Sequence, residues 1–309
     1  MSAVSMSLFR ILVLLLTLVS LAGAQKSGDR VLKKRIAVFT FEDKTDQRAI
    51  WWNGKSVGHG MSDMLTTALV KSGKYIVLER SEIDRLLAEQ DLATSGIVTP
   101  ESAAKIGKML GVEIAVIGAV TEFGASKSDV GGRLKGIGIG VKSQSATVAV
   151  DIRLINTSTG EIMVADNVRK SKSKKGLRLA TEALRFDSRN EFDQSLVGKA
   201  TREAIEQVVK LINKHAPEIP WQAKVVTAKG NMVIINAGAN SGVQPGDRFV
   251  VYRTGEELID PDTGLSLGTM ESKVGVIEVV NNNIGNGKAS QCKVLSGQNF
   301  QRGDIVREK

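Results

Sequence analysis

Apolar residues in the first part of the chain form two kinds of pattern, which alternate along the sequence. Short apolar runs rich in β-branched residues are typical of buried strands, and stripes recurring every three or four residues are typical of helices. The strands are predicted at 35–41, 75–78 and 114–120, and the helices at 54–71, 82–90 and 99–111. This order of strands and helices predicts an α/β domain with a mixed sheet flanked by helices.

The ends of these helices carry local signals. Gly73 and Gly111 are placed to end the first and third helices, because glycine adopts the left-handed conformation easily. Thr99 followed by Pro100 predicts a helix start, since the hydroxyl caps free N–H groups and proline fits the first turn. Ser81 is predicted to cap the second helix.

A second group of elements completes this domain. Alternation over 147–155 places Val148, Val150, Ile152 and Leu154 on one face of a strand, and a further strand begins at Glu161. An amphipathic helix is predicted near 192–214. The domain is predicted to span 25–216, with 25–34 as a loose polar leader, and the prolines of 217–220 form a linker.

The last segment, 221–309, has the pattern of a separate all-β domain. Its strand-like runs lie at 223–228, 232–236, 248–253, 274–280, 288–294 and 304–307. Gly, Asn and Asp separate the runs, and Gly246-Asp247 is echoed by Gly303-Asp304. These features predict a small closed β-barrel.

The N-terminus has the pattern of a secretory signal peptide. Arg10 precedes the apolar run 11–22, which ends in Ala22-Gly23-Ala24. Cleavage is predicted after Ala24, so that 1–24 is removed and the protein is exported to the periplasm. A membrane anchor is the alternative, but it needs about 20 apolar residues. Met6 is a second possible start.

Composition and charge narrow the function classes. The net charge of +9 would suggest nucleic acid for a cytosolic protein, but behind an export signal no nucleic-acid partner is expected. The single cysteine, Cys292, excludes an intrachain disulfide framework. Gln25 follows the predicted cleavage site, so no cysteine is there to carry a lipid.

Residues suited to catalysis or metal binding are few. The two histidines, His59 and His215, lie near opposite ends of different predicted helices, and a histidine at a helix C-terminus is most simply a cap. Ser102 and Lys105 match S-x-x-K, the nucleophile pattern of penicillin-binding enzymes, but the accompanying S-D-N and K-T-G are absent. We therefore predict no catalytic residue, no metal site and no cofactor.

The densest basic tract lies at 169–178. Its charged residues are Arg169, Lys170, Lys172, Lys174, Lys175 and Arg178. A patch that contacts a polyanion or the envelope is one interpretation, and a solvated loop or strand extension is the other.

The segments 36–43, 51–90, 99–123 and 148–162, together with the helix near 192–214, resemble the CsgG family of curli secretion channels and its holdfast-anchoring relatives. The resemblance implies an envelope assembly or secretion component without chemistry of its own. It also implies a ring-forming homo-oligomer at the outer membrane, with envelope or secreted proteins as partners.

The pore hairpins of that family correspond to about 126–146 and 168–192 here. Only Ile137, Ile139 and Val141 give an alternating apolar face in the first hairpin, about 16 Å against a membrane band of about 25 Å. Basic residues occupy both faces of the second. These features favour a peripheral protein, and the alternative function is a soluble periplasmic adaptor or activator of envelope or flagellar machinery.

Overall fold

The computed structural model describes residues 31–45, 54, 56–89, 98–134, 137–176, 186, 188–259, 261 and 266–309. The predicted signal peptide, its cleavage site after Ala24, and Arg178 lie outside these residues. The strands before the linker are β1 (Lys34–Val38), β2 (Glu42–Asp43), β3 (Tyr75–Val77), β4 (Ile114–Leu134), β5 (Ile137–Asn156) and β6 (Ile162–Gly176). The helices are α1 (Val57–Ser72), α2 (Arg80–Glu89), α3 (Pro100–Leu110), α4 (Arg189–Gln194) and α5 (Leu196–His215).

These strands form one mixed sheet, as the sequence predicted. The order is β3-β1-β4-β5-β6, with β2 beside β4. β1 pairs in parallel with β3 and β4, whereas β4, β5 and β6 are successively antiparallel. The parallel part holds the βα units, and the antiparallel part forms a long three-stranded ribbon.

Helices cover the sheet on both faces. One face packs with α1 and α5, in a core that contains Met61, Leu65 and Val208. The predicted inward face of β5, formed by Val148, Val150, Ile152 and Leu154, is confirmed in that core. The opposite face packs with α2 and α3 through a smaller core, which contains Ile83 and Ile106.

Three of the predicted helix ends, at Gly73, Thr99 and Gly111, are confirmed, and the one at Ser81 is wrong. Gly73 ends α1 in the left-handed conformation at φ +66°. Thr99 Oγ1 accepts a hydrogen bond from Ser102 N at 3.3 Å, and Gly111 ends α3 in the left-handed conformation at φ +67°. Ser81 does not cap α2, because that helix already begins at Arg80. Arg80 is held there by Asp63 of α1, which accepts a hydrogen bond from its Nη1 at 2.8 Å.

The predicted long helix near 192–214 is interrupted at Ser195. That residue is extended, with φ −69° and ψ 161°, and its hydroxyl accepts a hydrogen bond from Gly198 N at 2.9 Å. Ser195 therefore caps α5 while α4 ends just before it. The turn is tight: a Cβ atom on Gly198 would lie 1.8 Å from Phe192 O.

β4 and β5 are much longer than predicted. Their ladder continues without a shift from Phe123↔Val148 to Leu134↔Ile137. Sequence patterning missed this extension because 124–146 is rich in Gly, Ser and Lys, without the apolar alternation that marks a half-buried strand. A backbone ladder does not need such side chains once its register is set.

The segment after the linker is all β, as predicted. Its strands are β7 (Gln222–Lys229), β8 (Met232–Ile235), β9 (Arg248–Ile259), β10 (Ser266–Ile284), β11 (Ala289–Gly297) and β12 (Ile305–Glu308). They pair in the order β10-β11-β8-β7-β12-β9, and β9 pairs with β10, so the order closes on itself. We refer to this part as the β domain.

The echoed Gly-Asp pairs form matching turns in the β domain. Gly246 and Gly303 both have positive φ, +91° and +94°. The carboxylates of Asp247 and Asp304 each accept a hydrogen bond from the backbone three residues earlier, at 2.7 and 2.8 Å. The repeated Gly-Asp pairs therefore form two turns with the same conformation and the same hydrogen bond.

The start of the described chain is not the loose leader that was predicted. Leu32 is buried in the core of the β domain, and β1 begins at Lys34. Around the predicted linker, Ile219 packs in the core beneath α5, whereas Trp221 packs in that of the β domain. The boundary at 217–220 and the domains on either side of it stay predictions.

We expect Gly198→Ala to destabilise the protein by about 1–3 kcal/mol, because the added methyl group would force the α4–α5 turn apart. Denaturant unfolding of the full chain measures this. Lys199→Ala is the matched control, since Lys199 is exposed on the same turn of α5 and should change stability by less than about 0.5 kcal/mol. Equal midpoints for the two variants would contradict the steric argument.

Candidate functional site

The basic tract lies on β6, at an edge of the sheet. β6 pairs with β5, and no second neighbour of β6 occurs within the described residues. Successive side chains of a strand point to opposite faces. On the face towards α5, Val168 is buried, Lys170 and Lys172 are half-buried, and Lys174 is exposed. The side chains on this face of β6 therefore become more exposed from Val168 to Lys174.

Arg169 lies on the other face and is paired across two strands. The register aligns Glu122 of β4, Ala149 of β5 and Arg169 of β6 in one row. The small side chain of Ala149 lets the guanidinium reach Glu122, with Nε–Oε1 and Nη2–Oε2 distances of 3.0 Å. These hydrogen bonds hold the pKa of Glu122 below its usual value and raise that of Arg169.

Lys172 forms the second ion pair of the tract. Its ammonium group contacts Glu203 of α5. This pair joins the strand to the helix that covers it, and both side chains remain partly exposed, at 37% and 43%. Lys172 is thus engaged within the protein, and an exposed pair of this kind is screened by salt.

The remaining positive charges of the tract are Lys170, Lys174 and Lys175. Among the described residues none of the three forms an ion pair. Lys174 and Lys175 are both exposed and lie on opposite faces at the end of β6. The structure thus brings five of the six predicted site residues onto one strand, and it divides them into paired and unpaired charges.

Hydroxyl groups occupy the face that Arg169 shares. Thr147 Oγ1 and Ser171 Oγ are 2.9 Å apart, and Ser126 Oγ and Ser145 Oγ are 2.8 Å apart. These cross-strand contacts satisfy the polar groups in pairs. The resulting surface is polar and suits contact with water or a polar partner.

The other predicted candidates are engaged structurally. Ser102 Oγ donates to Thr99 O at 3.0 Å within the first turn of α3, and Lys105 is exposed. His215 Nδ1 lies 2.9 Å from Glu218 Oε1 at the end of α5, and His59 Nε2 lies 3.5 Å from Asp63 Oδ2. The structure does not bring these residues together.

The part of the chain that the structure describes contains no group of three or more His, Cys, Asp or Glu side chains arranged to hold a metal ion. None of its helices has the length and apolar character to cross a membrane.

Sequence reasoning missed the acidic partners, Glu122 and Glu203. Each is separated from its basic partner by more than 30 positions along the chain. Glu122 could be assigned only after the register placed it in the row of Arg169, and β4 was predicted to end before it. Glu203 does lie on the predicted amphipathic helix, but its packing against β6 is a tertiary feature.

Comparison with known families covers nearly the whole described chain. The family model of the curli production assembly/transport component CsgG matches residues 18–230, and that of the flagellar assembly protein T C-terminal domain matches 230–308. Among curated proteins, the curli production assembly/transport components of Escherichia coli K12 and Salmonella typhimurium are each 29% identical over 145 residues. That alignment covers 44% of this chain and spans about half of each relative, 52%.

Solved structures give weaker similarities. A hypothetical protein of Chlamydia trachomatis matches 59% of this chain and 97% of its own, with 12% identity and a TM-score of 0.41. A lipoprotein of Neisseria meningitidis matches 59% of this chain and 99% of its own, with 14% identity and a TM-score of 0.34.

We expect Arg169→Gln to raise the pKa of Glu122 towards its usual value, because the variant loses the charge and the two-point hydrogen bonding of the guanidinium. Carboxyl ¹³C NMR titration measures this directly. Lys175→Gln is the matched control: it removes one positive charge from the same face of β6 but not from the row of Glu122. If Glu122 titrates at the same pH in both variants, the ion pair is not formed in solution.

Proposed function

Because the chain belongs to the CsgG family, we propose that it is a non-enzymatic component of cell-envelope assembly or secretion. The observation that carries this proposal is the family match over 18–230, which takes in the whole mixed sheet and the β4–β6 ribbon. The family is described as a curli production assembly/transport component. The proposed role of this chain is to position surfaces that bind other proteins. We propose no reaction for it.

The proposed place of action is the periplasm at the outer membrane. The predicted signal peptide supports export, and the basic edge of β6 supports electrostatic contact with an envelope polyanion. Lys174 and Lys175 are the groups best placed for this contact, since both are exposed and neither forms an ion pair within the described residues. Lys170, Arg169 and Lys172 contribute to the same positive field.

The proposed working form is a homo-oligomer with envelope or secreted proteins as partners. Family membership supports this form, and the ribbon supports a peripheral one. Each basic residue near the middle of a bilayer costs about 2–4 kcal/mol, and the described part of β6 has basic residues on both faces. No nucleic acid is proposed as a partner.

A second candidate function is a soluble periplasmic adaptor or activator of envelope or flagellar machinery. The observation that favours it is the match of the flagellar assembly protein T C-terminal domain over 230–308, which covers most of the β domain. The two candidates differ in whether the protein associates with the membrane and in its partners. Native mass of the purified protein with and without detergent separates a detergent-dependent assembly from a soluble one.

We expect Lys174→Glu/Lys175→Glu to reduce the amount of protein in the envelope fraction at physiological salt. Attraction between exposed charges weakens as salt shortens the Debye length from about 8 Å to about 3 Å at 1 M. The wild-type protein should therefore also leave the envelope in a high-salt wash. Quantitative immunoblotting of washed membranes measures both effects. Lys172 is left unchanged, so that its pair with Glu203 is kept.

Lys105→Glu/Lys199→Glu is the matched control, with the same change of charge at two exposed helical positions. It should stay in the envelope fraction like the wild type. If both variants are released to the same extent, the release depends on the net charge of the protein and not on the position of Lys174 and Lys175. A wild-type protein that only detergent releases would contradict the peripheral proposal.

A further inference from the structure

The predicted domain that contains the mixed sheet, here called the mixed-sheet domain, contacts the β domain at the segment 32–35. Leu32 is only 4% exposed within the core of the β domain, and Lys33 N donates to Ser241 O at 2.9 Å. The Arg35 side chain donates from Nη2 to Asn236 O at 3.1 Å. The chain thus enters β1 of the first domain while still attached to the second.

Glu113 is fixed at this same place by its main chain. Its N–H donates to Arg35 O at 3.1 Å, and its carbonyl accepts from Thr157 N at 3.2 Å. Gly111, with φ +67°, ends α3 two residues earlier and turns the chain into β4. Glu113 is only 5% exposed, so its side chain is enclosed and its direction is set by the fold.

The carboxyl group of Glu113 binds both domains at once. Oε2 accepts a hydrogen bond from Arg35 N in β1 at 2.8 Å, and Oε1 accepts one from Gln222 N, the first residue of β7, at 3.3 Å. Two backbone donors 187 positions apart in the chain therefore meet on one side chain. Separation of the domains would break the second bond and admit water to the carboxyl group.

The Glu113 carboxyl group forms no ion pair within the described residues. The charged groups around Glu113 are Lys34 and Arg35 of β1, Lys108 of α3 and Lys224 of β7. Glu308 of β12 acts on Lys34. The Arg35 guanidinium is directed to Asn236 O instead. Burial lowers the pKa of Lys34, and the charges of Glu113 and Glu308 act against this effect.

Burial dominates the titration of this carboxyl group. It raises the pKa of Glu113 from 4.5 to about 7, although the hydrogen bonds from Arg35 N and Gln222 N and the charge of Arg35 act in the opposite direction. Removal from water disfavours the ionised form more strongly than two backbone donors favour it.

We propose that Glu113 couples the two domains and makes their docking depend on pH, with docking weakened when the carboxyl group ionises. In the undocked state the carboxyl group is hydrated and titrates near its ordinary value. Between that value and neutrality the docked state binds more protons, so docking is favoured at low pH and this contribution is lost as pH rises through about 7.

Hydrogen exchange at Gln222 in the full-length protein tests the proposal. After correction for the intrinsic exchange rate, wild-type protection should fall about a hundredfold between pH 5 and pH 8, because each unit of pKa difference is worth tenfold. Glu113→Gln keeps the size of the side chain and removes its charge, so its protection should not change with pH over this range. Glu206→Gln, the control on an exposed carboxyl group of α5, should follow the wild type.

A second readout does not need a variant. The NMR signals of the Arg35 and Gln222 amides should titrate with one midpoint near pH 7, because both donate to the same carboxyl group. Separate midpoints, or a shared midpoint near 4.5, would overturn the proposal even if Glu113→Gln fails to fold. Protection at Gln222 that is independent of pH in the wild type, or equally pH-dependent in Glu113→Gln, would overturn it as well.

Discussion

The antiparallel register of β4, β5 and β6 determines which side chains of the sheet are buried and which face water. Inside the domain it places Val148, Val150, Ile152 and Leu154 against α1 and α5. The same ladder continues outward, where it aligns Glu122, Ala149 and Arg169 in one row. Since the side-chain period of a strand is two, a slip of one residue would bury Arg169 and expose Val168. Core packing therefore determines which charges face water.

Most of the architecture could be predicted from the sequence, because its signals are local. Caps at Thr99 and Gly111 mark the ends of α3, and the alternation in 147–155 identifies the inward face of β5. The predicted start of α2 after Ser81 was wrong, since the helix begins at Arg80, and the pairing of Arg80 with Asp63 of α1 is a tertiary contact that the local sequence does not show. The amphipathic pattern near 192–214 is continuous in the sequence, but the structure has two helices there, because the Ser195 hydroxyl caps α5.

The candidate site could be predicted only in part. The concentration of lysines in 169–175 is visible in the sequence, and the structure places them together on β6. Which charges are already paired depends on Glu122 and Glu203, whose positions require the register and the packing of α5. Glu113 carries no sequence signal at all. An isolated glutamate before a strand is ordinary, and its role at the domain boundary arises from Gln222, more than 100 positions later.

The β domain contains the single thiol of the chain, and its surroundings give it an experimental use. Cys292 is fully buried beside Val233 and Ile277, and burial raises its pKa to about 12. Thiol reagents attack the thiolate, which is scarce in such a place and shielded from solvent. Alkylation in the native protein therefore requires the closed sheet to open. The chain has no other cysteine. The rate of alkylation, measured by the increase in mass, therefore reports the rate at which the β domain opens, without any engineered probe.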